Sequence, residues 1–140
     1  MFRRIARGFA LAALAALITA CGSTTTTVVP TPVIVSETFI GTLIPASAGT
    51  FTFNTLTGGA VIASVTAIGP DNTKTVGFSL GSFNGAVCTI ILDNGAAAQG
   101  FAFNASTSSI GTYCVRIYDN GSTTADNVPY TFTITVSHPQ

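Results

Sequence analysis

Apolar and polar residues alternate with a period of two over most of the chain beyond residue 37, which is the spacing of a half-buried β-strand. The clearest run closes the chain, where Tyr130, Phe132, Ile134 and Val136 alternate with threonines. Strands are predicted on this basis at 38–44, 50–54, 60–68, 75–83, 86–93, 101–103, 113–117 and 130–136. Turn residues separate several of them, at Gly58-Gly59, Gly69-Pro70-Asp71-Asn72, Asn84-Gly85 and Asp93-Asn94-Gly95. We predict an all-β, antiparallel sandwich of about eight strands, jelly-roll or Ig-like.

The first 20 residues have a different pattern. Arg3, Arg4 and Arg7 precede an apolar run over 9–18, and two small residues follow before Cys21. This is the order of a secretory signal peptide, and the run is shorter than the roughly 20 residues of a permanent membrane span. We therefore expect residues 1–20 to be a signal helix that is cleaved after export.

The four residues Ile18-Thr19-Ala20-Cys21 resemble the bacterial lipobox. The resemblance implies that Cys21 receives a thioether-linked diacylglycerol and becomes the first residue of the mature protein. Two or three acyl chains anchor a protein durably in a membrane. Because Gly22 stands where an aspartate would favour retention in the inner membrane, the resemblance implies the outer membrane. An ordinary signal peptide with an incidental cysteine is the alternative.

A Thr/Pro-rich stretch over 23–32 links Cys21 to the first predicted strand. It has almost nothing to bury, so we expect a disordered tether over 21–37 and the folded domain over 38–140. A fully extended tether would hold the domain up to about 45 Å from the lipid surface.

Charged residues are sparse beyond the leader. That part of the chain has two basic residues, Lys74 and Arg116, and all five acidic residues. Nucleic-acid binding needs clustered basic residues, so it is excluded as the expected function. Small uncharged polar residues must supply the solubility, as in many extracellular β proteins.

The two cysteines that remain, Cys88 and Cys114, form an even pair in an exported protein. In an oxidising compartment such a pair predicts a disulfide, against the alternative of two free buried thiols. Cys114 shares a strand face with Arg116 and Tyr118, away from the predicted core. We expect the bridge to join neighbouring strands rather than the two sheets.

Residues 77–81 match the G-x-S-x-G pattern of hydrolases around Ser79, and acids and finally His138 follow in the hydrolase order. The pattern needs a strand that turns sharply into a helix, whereas here it lies within a predicted strand. We also expect nothing to hold the ring of His138 so near the end of the chain. No catalytic residue is assigned, and we expect the protein not to be an enzyme.

Four of the five acids are followed by asparagine, which is typical of tight turns. The alternative is calcium, a cation that prefers oxygen ligands from such loops. The candidate loop runs over 119–128, with Asp119, Asn120, Asp126 and Asn127 as possible ligands. The sequence has no calcium-loop motif, so the signal for calcium is weak. No other cofactor is expected.

Aromatic side chains on the outer face of a sandwich could bind a sugar or a peptide. The alternation places Tyr118 there, and Phe83, near a strand end, is a second candidate. A single exposed aromatic residue is, however, common on protein surfaces.

The segments 111–119 and 129–136, followed by His138-Pro139, resemble the end of a bacterial pre-peptidase C-terminal (PPC) domain. Phe39-Ile40-Gly41, the run over 49–53 and Cys88 also fit, so the likeness covers about 38–139. The resemblance implies a β-sandwich that assists secreted proteases or contacts polymers. We expect a non-catalytic envelope protein that binds a polysaccharide or protein partner. A structural component, or a chaperone for secreted peptidases, is the alternative.

Overall fold

The computed structural model of the protein describes residues 30–122 and 127–140. The predicted signal peptide over 1–20, Cys21 and Asp126 lie outside the described residues. Within the described ranges there is no helix that could cross a bilayer, and the regular elements are strands. They are β1 (Ile34–Leu43), β2 (Ala48–Thr55), β3 (Gly59–Gly69), β4 (Val76–Phe83), β5 (Cys88–Ala97), β6 (Ala102–Thr107), β7 (Gly111–Tyr118) and β8 (Tyr130–Pro139).

These strands form two four-stranded antiparallel sheets that enclose one core. The first sheet has the order β1-β8-β3-β6 and the second has the order β2-β7-β4-β5. The alternation in β8 has the predicted effect, since Phe132, Ile134 and Val136 are buried between the sheets while the threonines face outward. The predicted eight-stranded antiparallel sandwich is confirmed. Its largest fully buried apolar side chains are Leu43, Phe53, Val61, Val65, Val76, Phe78, Val115, Ile117, Ile134 and Val136.

The first strand begins at Ile34, earlier than the predicted boundary at Thr38. Ile34 pairs with Pro139, so the register between β1 and β8 continues through the residues assigned to the tether. Beyond it, the backbone N–H of Gln140 donates to the carbonyl of Val33 at 2.8 Å. The prediction that the tether extends to residue 37 is therefore wrong, and the chain between Cys21 and β1 is shorter than expected.

The predicted turn at Asp93-Asn94-Gly95 is also wrong, because these residues lie inside β5. The strand register shifts beside them, with Val76 opposite Ala97 but Phe78 opposite Asn94. This is the signature of a β-bulge, which accommodates an extra residue without ending the strand. The Asn94 side chain still makes a local turn-like contact, accepting a hydrogen bond from the N–H of Ala96 at 3.0 Å.

The predicted disulfide between Cys88 and Cys114 is confirmed, and both cysteines belong to the second sheet. We expected the bridge to join neighbouring strands, and this expectation is wrong. The two cysteines lie on β5 and β7, and β4 lies between these strands. Strands two places apart in a flat sheet are separated by about 9–10 Å. The Cα atoms of the two cysteines are 5.9 Å apart, so the start of β5 leaves the plane of the sheet and crosses over β4.

Gly81 is the residue beneath this crossing. A Cβ atom at this position would lie 2.1 Å from the carbonyl oxygen of Thr89 and 2.8 Å from its carbonyl carbon. The strand register also shifts here, between Leu80 and Gly81. Only a residue without a side chain allows the two backbones to approach so closely.

His138 is fully buried, so the expectation that nothing holds its ring is wrong. The alternation in β8 continues to His138 and turns this side chain toward the core. Its Nε2 atom lies 2.9 Å from Oε1 of Glu37, and its ring centroid lies 5.1 Å from that of Phe53. His138 therefore has a structural role between the sheets.

Candidate binding site

The outer face of the second sheet carries four polar or aromatic side chains placed by three neighbouring strands. In the strand register Ser79 on β4 lies opposite Asp93 on β5 and opposite Arg116 on β7, and Gly77 lies opposite Tyr118. Alternate residues of β4 and β7 fill the core, which leaves these side chains on the other face. We call Ser79, Asp93, Arg116 and Tyr118 the Arg116–Tyr118 site.

The Asp93 carboxylate joins the three strands. The hydroxyl of Ser79 donates to Oδ1 of Asp93 at 2.6 Å, and Ser79 is buried. The hydroxyl of Tyr118 lies 3.2 Å from both carboxylate oxygens of Asp93. Hydrogen bonds to an ionised acceptor are stronger than neutral ones, so these contacts fix the carboxylate and the phenol relative to each other.

The ring of Tyr118 lies flat over β4 because Gly77 beneath it has no side chain. A Cβ atom on Gly77 would stand 2.1 Å from two carbon atoms of the ring. The guanidinium carbon of Arg116 stands over the same ring, 5.2 Å from its centroid, which is within the range of a cation–π interaction. The guanidinium of Arg116 therefore packs on the ring of Tyr118, and the hydroxyl of the same tyrosine contacts Asp93.

Arg116 makes no ion pair with any residue in 30–122 or 127–140. A guanidinium has five N–H donors in a planar fork that fits a carboxylate or a phosphate. The site can therefore offer a positioned cation and several hydrogen-bond donors to a ligand on an otherwise weakly charged surface.

Burial raises the pKa of the Tyr118 hydroxyl, and the charge of Asp93 and the hydrogen bond to it act in the same direction. The protonated phenol donates to the carboxylate, whereas a phenolate would repel it. The folded state therefore retains this proton above the pKa of about 10 of a free tyrosine, and the contribution to stability is lost as the pH rises through the folded value.

In a spectrophotometric titration, we expect the phenol of Tyr118 to ionise at a higher pH than a free tyrosine. Tyr118→Phe should remove that late step. Asp93→Asn should move it to lower pH, because the carboxylate that opposes ionisation is gone. A titration that Asp93→Asn leaves unchanged would show that the contact with Asp93 does not raise the pKa of Tyr118.

The two aromatic candidates are not brought together. Tyr118 lies on the outer face as predicted, but Gly77 and Arg116 contact its ring, so it is not an open platform for a sugar. Phe83 is half-buried at the end of β4, opposite Cys88 in the register. Ligand binding by Tyr118 and by Phe83 stays a prediction.

Asp119 and Asn120 use their side chains to hold the loop that follows β7. Asp119 Oδ1 accepts from the N–H of Gly121 at 3.0 Å, and Asp119 Oδ2 accepts from the N–H of Ala46 at 2.8 Å. Asn120 donates to the carbonyl of Gly95 at 2.7 Å and accepts from the N–H of Ser122 at 3.0 Å. The turn interpretation of this Asp-Asn pair is confirmed.

The predicted calcium ligands are only partly described. Asn127 has φ of 49°, a left-handed conformation that asparagine tolerates in turns, while Asp126 lies outside the described residues. The described part of the chain holds no group of three or more His, Cys, Asp or Glu side chains suited to a metal ion. Calcium binding by this loop stays a hypothesis. A thermal melt with calcium and with EDTA would test it.

The residues of the hydrolase pattern do not form a catalytic triad. Ser79 lies in the middle of β4 and donates to Asp93 on the outer face of the second sheet. His138 lies between the sheets and contacts Glu37. The serine, the acid and the histidine that the pattern would require therefore do not meet.

Arg116, Asp93 and Gly77 belong to the site although sequence reasoning did not select them as binding residues. The alternation did place Arg116 on one face with Tyr118, and it is one of only two basic residues beyond the leader. The contact with Asp93 depends on the register between β4 and β5, which no local pattern specifies.

No protein-family model matches the chain, and no curated protein is similar to it in sequence. Among solved structures, the chain is similar to PliG of Aeromonas hydrophila, a periplasmic lysozyme inhibitor of g-type lysozyme. The TM-score is 0.51 at 16% identity, over 75% of this chain and 86% of that one. It is also similar, with a TM-score of 0.37 at 12% identity over 79% of this chain and 91% of that one, to a protein of Bacillus endospore appendages, which form disulfide-linked pili. The likeness to the lysozyme inhibitor shows a shared fold.

Proposed function

We propose that this protein is a non-catalytic, lipid-anchored component of the bacterial cell envelope whose sandwich binds a protein or polymer partner through the Arg116–Tyr118 site. The observation that carries the proposal is the chain of contacts from Ser79 through Asp93 and Tyr118 to Arg116 on an exposed sheet face. Such a chain restrains the guanidinium through the ring of Tyr118 before any ligand arrives, which lowers the entropic cost of binding.

The contrast between the two outer faces supports this use. The first sheet presents mainly hydroxyl side chains, such as Thr131, Thr133 and Thr135 on β8. The face of the second sheet has the positioned arginine and tyrosine. Arginine and tyrosine are enriched among the residues that contribute most to protein binding. The second face is therefore the one we assign to the partner.

The envelope location rests on the leader and the lipobox-like residues that end at Cys21. The fold is compatible with a binding role, since a sandwich of this architecture is a periplasmic lysozyme inhibitor in Aeromonas hydrophila. A g-type lysozyme is accordingly the first protein partner to test. The resemblance to PPC domains supports the second candidate, an accessory component or chaperone for secreted peptidases.

Capture experiments test the binding role. The mature protein, immobilised in detergent, should retain a specific protein from envelope extract, retain an added g-type lysozyme, or select a glycan on an array. Arg116→Gln should weaken that binding roughly 30-fold, or by about 2 kcal/mol, because the guanidinium is the group offered to the ligand.

Thr133→Ala, on the outer face of the first sheet, is the matched control and should bind as the wild type does. Equal binding by wild type and Arg116→Gln would contradict the assignment of the site. The absence of any partner or glycan would favour the structural alternative.

A further inference from the structure

The strand register places the beginning of β1 and three loops at one end of the sandwich. Ile34 lies opposite Pro139, Gly59 opposite Thr107, and Thr55 opposite Gly111. Ser82 pairs with Tyr113, so the loop after β4 lies at this end too. Gln140 Nε2 donates to the carbonyl of Asn54 at 2.9 Å and connects the two sheets here. We call this the tether end, because the chain from Cys21 enters the domain at this end.

The tether end exposes large aliphatic side chains. Each of the three loops has one, namely Leu56 after β2, Val87 after β4 and Ile110 before β7, exposed to 57, 59 and 71%. Val33 and Ile34 at the start of β1 are 66 and 55% exposed, and Ile91 near the start of β5 is 65% exposed. Ile40, Ile44, Ile62 and Val128 are exposed elsewhere on the domain. The tether end differs in that each of its three loops has an exposed aliphatic side chain, and a cluster of this kind marks an interaction surface.

Charged side chains lie away from this end. The loops over 56–58, 84–87 and 108–110 have none. Asp71 and Lys74 lie between β3 and β4, and Asp119 follows β7, so all three are at the opposite end. Among the described residues the acid nearest the tether end is Glu37, which contacts His138 and whose side chain is 40% exposed. A rim whose loops have apolar tips and no charged side chain suits the interfacial region of a bilayer, where desolvating a charged group would be unfavourable.

We propose that the tether end of the sandwich rests on the membrane that holds the lipid of Cys21, with Leu56, Val87 and Ile110 inserted among the lipid headgroups and upper acyl chains. The inference rests on the lipid anchor of the proposed function. Residues 22–33 connect Cys21 to β1 and span at most about 40 Å, so the anchored domain cannot move farther than this from the surface. A short linker gives an effective concentration in the millimolar range, so a small apolar surface is enough for docking.

This arrangement replaces the expectation that the tether holds the domain away from the membrane. It also orients the molecule, because Tyr118 ends β7 on the side away from the tether end. The Arg116–Tyr118 site would then lie on the side of the domain, nearer the end away from the lipid, where a partner can reach it.

Depth-dependent fluorescence quenching tests the proposal, since the chain has no tryptophan. Ile110→Trp places the probe at the tether end. Ile44→Trp places it in the loop after β1, at the opposite end, where the isoleucine is also exposed (55%). Each lipidated protein is reconstituted into phosphatidylethanolamine/phosphatidylglycerol vesicles with and without brominated phosphatidylcholine, and flotation is recorded in parallel. Bromine should remove roughly half or more of the emission of Ile110→Trp and leave Ile44→Trp nearly unchanged.

The outcomes separate the docking proposal from the lipid anchor. Flotation of both variants without bromine quenching of Ile110→Trp would overturn the docking proposal and leave the anchor intact. A blue-shifted Ile110→Trp emission that bromine does not quench would show that protein, such as a second copy of the chain, covers this end, and would also overturn it. Equal quenching of the two variants would overturn the orientation, and failure of both to float would overturn the anchor and the docking proposal together.

Discussion

Gly81→Ala is expected to destabilise the domain by roughly 3 kcal/mol or more, because the new methyl group has no space beneath the crossing of β5 over β4. Its Cβ atom would lie 2.1 Å from the carbonyl oxygen of Thr89. The obstacle is backbone, so a change of rotamer cannot relieve it. The start of β5 would have to move away from β4, which would expose the part of β4 that it covers.

Urea unfolding of the folded domain measures this effect. Gly111→Ala is the matched control, because a Cβ atom there meets its nearest neighbour, in the ring of Tyr113, at an ordinary distance of 3.6 Å. We expect the control to differ from wild type by less than about 1 kcal/mol. If both variants unfolded at the same urea concentration, the close approach at Gly81 would not be a real constraint.

Removing the Cys88–Cys114 bridge should cost about 3.5 kcal/mol in the chain-entropy account, because it closes a loop between residues 26 apart. The double variant Cys88→Ala/Cys114→Ala should show this loss in urea unfolding. Adding a reductant to the wild type should lower its midpoint toward that of the variant and leave the variant unchanged. Unchanged unfolding of the wild type on verified reduction would contradict a stabilising role.

The two changes act on the same crossing, so their effects should not add. Once the bridge is absent, β5 is free to lift from β4, and Gly81→Ala should then cost less than it does in the wild type. Neighbouring sites commonly show such coupling, and a double-mutant cycle measures it. Full additivity would indicate that the bridge does not hold β5 over β4.

The alternation of apolar and polar residues was sufficient to predict the sandwich. In β8 every second residue from Tyr130 to Val136 is buried, and eight strands follow from the same rule. The Cys88–Cys114 bridge was predictable from the number of cysteines together with the predicted export signal. These features depend on local sequence or on composition.

The features that sequence reasoning missed depend on contacts between distant strands. Asp93-Asn94-Gly95 has the composition of a turn, yet pairing with β4 keeps it in a strand and the bulge absorbs the extra residue. His138 looked like part of a free end, but β8 continues beside Ile34 and the alternation carries the ring into the core.

The sequence predicts which sheet face carries Arg116 and Tyr118, but it does not predict the contacts that these residues make. The alternation places Arg116 and Tyr118 together, since they are two residues apart on β7. Their connection to Asp93 requires β5 to pair with β4 in one register, and the position of the ring requires glycine at residue 77 on a third strand. Both conditions arise only in the folded sheet.

Lipid on Cys21 is the central claim of the proposed function, since the envelope location and the docking of the tether end both depend on it. Labelling of growing cells with an alkyne fatty acid, followed by membrane fractionation, tests it most directly. The wild type should carry the label and sediment with the membrane, whereas Cys21→Ser should carry none while its Cys88–Cys114 bridge still forms. An unlabelled wild type, or an equally labelled Cys21→Ser protein, would contradict the account.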